Sequence, residues 1–309
     1  MKISRHIIVL GVACIVIIAG LSAAFGRQRT DPADQYYPFL LSSTKAVNGS
    51  TVLLKIDTQH LVKPVPDWQI RFQDQLIPVF KYPVQSDGAY FGLLAIPLRA
   101  KPGQSFLIID WTDSRGIYSR MIPFDIISGK YRTEKLKVSS QKVNLSKKNL
   151  ARVKREKKEV KGIYSSGSSD RYWNGIFQLP LKSAVTSPFG NKRMFNGQLK
   201  SFHNGVDFRA PIGKPIYAAN SGVVRLAKNL FFSGNIVIID HGTGIFTNYA
   251  HLSRIDVSPN QRIEKGQRIG LSGKTGRVNG PHLHWGIKVN GTYVDPLQFV
   301  DVIASMNGQ

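Results

Sequence analysis

Apolar residues fall along the chain in three regimes. Residues 7–25 form one uncharged apolar run. Between residues 51 and 127, short apolar runs alternate with turn-forming clusters. The stretches 52–56, 68–72, 76–82, 90–96, 106–111 and 118–126 predict strands. Trp68-Gln69-Ile70-Arg71-Phe72 shows the period of two expected of a half-buried strand. Ser86-Asp87-Gly88, Lys101-Pro102-Gly103 and Asp113-Ser114-Arg115-Gly116 supply turns between them. Strands at this spacing predict a small β-sandwich. From Phe177 onward, stretches 216–219, 222–227, 235–240, 244–249, 267–271 and 284–289 again read as strands. Glycines punctuate them and no run looks like a crossover helix, so an antiparallel β domain is expected.

Between the two β regions the pattern breaks. Lysines and arginines crowd residues 130–161, with only Glu134, Glu156 and Glu159 against them. Ser146 is placed to cap a helix running to about Val160, and Gly162 to end it. Leu150 and Val153 give that helix only a thin apolar stripe, which reads as a solvated connector. The alternative is an arm that holds the protein to an anionic wall or membrane surface. Ser165-Ser166-Gly167-Ser168-Ser169 then reads as a flexible hinge.

Charge and the N-terminal run narrow the function classes. The 309 residues carry a formal net charge of +23, a field that attracts nucleic acid, anionic lipid headgroups or an acidic wall polymer. Lys2, Arg5 and His6 precede the apolar run, and Ser22, Ala23 and Ala24 close it. This is the pattern of a secretory signal peptide cleaved after Ala24. The run also nearly reaches the ~20 residues of a membrane span, so an uncleaved inner-membrane anchor is the competing reading. Either way the remainder is exported, which argues against nucleic acid as the partner. Cys14, the sole cysteine, lies inside the run, so the mature chain has no disulfide and no thiolate metal site.

Any metal must therefore be held by His, Asp or Glu. Five of the seven histidines lie between His203 and His284. His60 stands alone, and His241, in Asp240-His241-Gly242, reads as a turn residue. The other four sit in His203-Asn204-Gly205-Val206-Asp207, in Tyr249-Ala250-His251-Leu252-Ser253 and in Pro281-His282-Leu283-His284-Trp285. Residues two or four apart on a strand share a face, so His282 pairs with His284 and His203 with Asp207. Two imidazoles and a carboxylate make a three-ligand set suited to catalytic zinc, and one poorly suited to calcium. Such a set leaves two histidines for proton transfer and oxyanion stabilisation. No glutamate follows His203 as in an H-E-x-x-H helix, and Glu264 is a poor substitute.

These motifs, with Thr186-Ser187-Pro188-Phe189-Gly190, Gly222-Val223-Val224, Gly234-Asn235 and Gly266-Gln267-Arg268-Ile269-Gly270, resemble the lysostaphin-type (LytM-like) zinc metallopeptidases over residues 178–300. The resemblance implies an open antiparallel β-sheet with a groove across it. It implies that His203, Asp207 and His284 hold one zinc ion, and that His251 and His282 are the unliganded active-site histidines. Which of the two activates water and which steadies the oxyanion stays open. The implied activity is endopeptidase cleavage of peptidoglycan stem peptides or cross-links. A family member that had lost its ligands would instead be an inactive envelope-binding regulator of wall amidases, but all five residues are present in this chain.

The expected fold is therefore mainly β, in four parts. Residues 1–26 are a signal peptide or anchor, 27–129 a β-sandwich accessory domain, 130–172 a basic helical linker and 173–309 the zinc peptidase domain. The expected location is the periplasm or cell envelope, with peptidoglycan as partner and with inner-membrane contact through the apolar segment. The accessory domain is expected to shield the groove or to position the enzyme.

Overall fold

A computed structural model describes residues 39–57, 67–82, 89–113, 116–136, 145–195 and 198–306. The N-terminal apolar run and His60 lie outside the described residues. Among the described residues, no helix is long and apolar enough to cross a membrane.

Nine strands come first: β1 (Phe39–Leu41), β2 (Lys45–Val47), β3 (Thr51–Ile56), β4 (Asp67–Phe72), β5 (Gln75–Leu76), β6 (Val79–Lys81), β7 (Tyr90–Ala95), β8 (Gly103–Asp113) and β9 (Gly116–Ile127). They form a sheet ordered β1-β3-β7-β6 and a second ordered β2-β9-β8-β4-β5. Between the sheets lie Leu54, Ile56, Ile70, Phe72, Leu94, Leu107 and Ile109, all fully buried. On β4 burial alternates residue by residue, as its sequence predicted. β3 and β7 do not alternate, because Leu53, Phe91 and Leu93 pack on the opposite side into the C-terminal core. A sheet covered on both faces reads as a continuous apolar run.

The connector comprises β10 (Thr133–Leu136) and helix α1 (Lys147–Ser165). Ser146 caps α1 as expected, its hydroxyl accepting from the Asn149 N–H at 3.2 Å. The helix passes through Gly162 rather than ending there, because Ile163 and Tyr164 gain apolar contacts that reward one more turn. α1 is solvated along most of its surface, as its thin stripe predicted, but one face is seated on the sheet. Val153 is buried, and Val160, Ile163 and Tyr164 pack on Leu226, Ile236, Ile238, Phe246 and Ala250. The serine-rich segment behind it is pinned rather than free. The Ser168 N–H donates to Asp240 Oδ2 at 3.0 Å. A Cβ at Gly167 would meet the Phe246 ring at 2.8 Å.

The C-terminal part runs through β11 (Val185–Ser187), β12 (Lys192–Phe195), β13 (Gln198–Phe202), β14 (Val206–Arg209), β15 (Pro215–Tyr217), β16 (Gly222–Leu230), β17 (Gly234–Gly242) and β18 (Ile245–Leu252). It continues with β19 (Arg254–Ile255), β20 (Arg262–Ile263), β21 (Arg268–Leu271), β22 (His282–Val289), β23 (Thr292–Val294) and α2 (Pro296–Ser305). The main sheet is antiparallel, ordered β11-β14-β22-β18-β17-β16-β20 with β23 beside β22. One face carries Val237, Ile239, Tyr249, Leu283, Trp285 and Ile287 into the main core, which Trp173, Phe177 and α2 cover. The opposite face receives α1.

Helix α2 was missed in the sequence, although Asp295 caps it, Pro296 opens it and Phe299 and Ile303 share its buried face. It also ties the two β regions together. The Gln298 side chain exchanges two hydrogen bonds of 2.8 Å with the backbone of Thr51. Trp173 stacks on Tyr82, meets Phe80 edge-on and tilts against Phe177.

Candidate active site

The strand ladder brings the chemistry together. In the β14–β22 pair, Asp207 stands directly opposite His284 and Arg209 opposite His282. On β22's other side Ala250 stands opposite His284, which puts His251 at the end of β18 beside the same spot. His203 lies just ahead of β14. Gly205 makes this approach feasible, because a Cβ there would sit 2.3 Å from the Trp285 carbonyl oxygen and 2.9 Å from the His284 ring.

Three side-chain atoms converge. His203 Nε2 lies 2.9 Å from Asp207 Oδ1, His284 Nδ1 lies 2.8 Å from the same oxygen, and the two nitrogens are 3.0 Å apart. Tetrahedral zinc, with bonds of ~2.0–2.1 Å, would hold such donors about 3.3 Å apart. The triangle is thus within a few tenths of an ångström of that spacing. The tautomers fit a cation as well. His203 Nδ1 lies 2.8 Å from the Pro188 carbonyl, which can only accept, so Nδ1 carries a hydrogen, and in a neutral ring Nε2 is the nitrogen left to ligate. Burial alone would raise the Asp207 carboxyl; its contacts with His203 and His284 outweigh that and hold it well below the usual carboxylate range. Burial is the main cause that pushes His284 down to about 4, so it stays neutral near pH 7.

The two remaining histidines flank this triangle. His282 Nε2 is 3.8 Å from Asp207 Oδ1, and its Nδ1 donates to the Gly280 carbonyl at 3.0 Å. His251 Nδ1 donates to the Thr275 carbonyl at 2.9 Å, and the His251 and His282 rings lie 4.8 Å apart. Both rings therefore keep Nε2 outside these carbonyl contacts. His251 has φ of 66°, in the left-handed region that costs a non-glycine residue energy. Burial, followed by the charge of His282 and His284, pushes His251 down to about 3.

All five residues singled out in the sequence meet here. His241 does not. It is fully buried near the end of β17 rather than in a turn, and burial pushes it down to about 4. Its Nδ1 donates to the Ser221 carbonyl at 2.7 Å and its Nε2 lies 2.8 Å from the Thr247 hydroxyl. Both nitrogens are committed to the core.

A cleft of about 970 Å³ runs from the histidines along the sheet, with α1 as its far wall. Tyr164 anchors that wall. Its ring meets the Phe246 edge at 5.2 Å and lies under the Lys288 ammonium at 4.4 Å, an amine that burial pushes down to about 8. Sequence reasoning missed this role of α1, and missed Arg193, whose guanidinium donates to Asp207 Oδ2 at 2.6 Å.

Comparison with known proteins places this geometry. The profile of Peptidase family M23 matches residues 201–296. Peptidoglycan DD-endopeptidase ShyA of Vibrio cholerae is 40% identical over 140 residues, 44% of this chain and 33% of that protein. Peptidoglycan DD-endopeptidase ShyC of the same organism is 45% identical over 114 residues, 36% of this chain and 26% of that protein. The chain thus spans a third or less of the length of these curated relatives. A crystal structure from Pseudomonas aeruginosa assigned to peptidase M23 is 28% identical, with a TM-score of 0.63, and covers 83% of this chain and 95% of its own. That likeness reaches well beyond the matched peptidase segment, into the N-terminal sheets.

Proposed function

We propose that the chain, whose residues 201–296 match the profile of Peptidase family M23, is a zinc endopeptidase that hydrolyses peptide bonds in peptidoglycan stem peptides or cross-links. The observation that carries this reading is the convergence of His203 Nε2, Asp207 Oδ1 and His284 Nδ1 within 3.0 Å, with two further imidazoles beside them. The relatives named as peptidoglycan DD-endopeptidases support the substrate class. The basic charge and the export pattern of residues 1–26 support a site of action in the periplasm or cell envelope, with an anchor or cleaved signal at the N-terminus.

His203, Asp207 and His284 would hold one zinc ion. When bound, zinc would supply Lewis acidity, lowering the pKa of water towards ~7 and polarising the scissile carbonyl. The protein's own groups do the rest. His282, more exposed than His251, opens its Nε2 to the cleft and takes the proton from the attacking water. The resulting imidazolium returns that proton to the leaving amine. His251, held in place by the Thr275 carbonyl, faces the other side of the reacting centre and walls the side on which the oxyanion develops. The groove between the histidines and α1 holds the peptide extended and limits water around it.

The test is digestion of purified sacculi by the zinc-loaded protein, followed by mass spectrometry of the released muropeptides. New free amino and carboxyl termini at stem or cross-link peptide bonds are expected. A fully zinc-loaded protein that releases none would overturn the reading.

A further inference from the structure

The connector reaches the metal-ligand triangle from outside the matched peptidase segment. Strand β10 pairs in parallel with β12, and the register sets Glu134 directly beside Arg193. From there a closed ring of polar contacts runs through the candidate ligands. Glu134 Oε1 accepts from the Ser187 hydroxyl at 2.7 Å, and Ser187 Oγ lies 3.0 Å from His203 Nδ1. His203 meets Asp207 at 2.9 Å, and Asp207 Oδ2 accepts from Arg193 at 2.6 Å. The ring closes where Arg193 Nε faces Glu134 Oε2 at 3.5 Å, an ion pair without a hydrogen bond. Asn191 Nδ2 adds a further donor to Glu134 at 2.7 Å.

We infer that Glu134 is a positioning residue for the metal site: through Ser187 it supports, beside the Pro188 carbonyl, the orientation of the His203 ring, and through Arg193 it fixes the second oxygen of Asp207. Three features argue for this over a merely structural tie. First, Glu134 is only 23% exposed, so a carboxylate is kept partly desolvated where a neutral side chain would pack at lower cost. Second, two of its three partners lead directly to candidate ligands. A metal-bound imidazole characteristically donates its other N–H into such a relay, which orients the ring and raises its basicity. Third, the charges require it. Arg193 brings a positive charge against Asp207, where it competes with a cation, and Glu134 offsets that charge. Burial would raise the Glu134 carboxyl, but its hydrogen bonds from Ser187 and Asn191 and the nearby Arg193 hold it below the usual range. The connector is thereby part of the active site.

This inference rests on the metal-site reading above, and zinc affinity separates the two. Full-length Glu134→Gln, Ser187→Ala and the double variant are titrated with zinc against a chromogenic chelator, and the melting point of each metal-free protein is measured. Lys135→Gln, an exposed change on the same strand, serves as control. The expected result is a loss of zinc affinity on the order of 10- to 100-fold for Glu134→Gln, with the apo melting point unchanged. Ser187→Ala should weaken zinc in the same direction, and the double variant should lose less than the product of the two. Lys135→Gln should match wild type. Zinc affinity of Glu134→Gln within twofold of wild type overturns the inference. Should that variant fail to fold, Ser187→Ala within twofold does so instead. Wild type that binds no stoichiometric zinc would instead sink the metal-site reading itself.

Discussion

Asp207 and His284 are direct neighbours across the β14–β22 ladder, and their Oδ1 and Nδ1 atoms lie 2.8 Å apart. The sheet register therefore places two corners and one side of the metal triangle, and only His203 must be delivered by a loop. His284→Ala breaks the triangle on its most rigid side. Zinc content should fall well below one per chain, with peptidase activity reduced on the order of 1000-fold or more, since Lewis acidity brings the water's pKa down from ~15.7 to ~7. Metal analysis and hydrolysis of a defined muropeptide check this.

His282 lies beside the triangle but outside it, with Nε2 3.8 Å from Asp207 Oδ1. His282→Ala should keep stoichiometric zinc and lose about 100- to 10,000-fold in kcat, the range of a positioned proton acceptor. Loss of the metal instead would make His282 a ligand and contradict its role as proton acceptor.

His241 gives a pH signature of stability that is independent of catalysis. Burial depresses it from 6.5 to about 4, so the folded state binds fewer protons than the unfolded chain between those values. Stability from this group is complete above 6.5 and is lost as pH falls towards about 4, in total roughly 3 kcal/mol. Urea midpoints of wild type and His241→Gln, measured from pH 7 to 5, should show a shallower decline in the variant. Parallel declines would contradict it.

Trp173 is 1% exposed and wedged between Tyr82 of the N-terminal sheets and Phe177 of the C-terminal core. Because one core crosses the boundary, the described parts should unfold in a single transition. Trp173→Ala should cost about 3–5 kcal/mol without splitting it. Calorimetry that resolves two separate transitions in wild type would contradict the shared core.

The sequence made much of this legible, for physical reasons. Two-residue spacing on a strand is a local property, so His282 and His284 could be put on one face before any fold was known. The alternation along residues 68–72 was equally local and appears on β4. The hidden features were those whose partners are remote in sequence. The apolar run 90–96 gave no sign that one face, with Phe91 and Leu93, would join the C-terminal core. The helix α1 looked polar because its seat, Phe246 and Ile238, lies some 80 residues further on. A clue was nonetheless present in the three acids of that basic stretch. Glu134 holds Ser187, Glu156 accepts from the Phe231 N–H at 2.8 Å, and Glu159 pairs with Lys228 at 2.8 Å. In a segment rich in like charges, the rare opposite charges are the ones that tie it down.

The peptidase chemistry depends on one metal ion held by two imidazoles and a carboxylate. Crystals of the zinc-loaded protein, with anomalous data collected on both sides of the zinc edge, test it most directly. The expected result is one strong peak about 2.0–2.2 Å from His203 Nε2, Asp207 Oδ1 and His284 Nδ1, with His251 and His282 unliganded beside it. A peak elsewhere, or none at these three atoms in protein that contains zinc, would contradict the site and the peptidase chemistry built upon it.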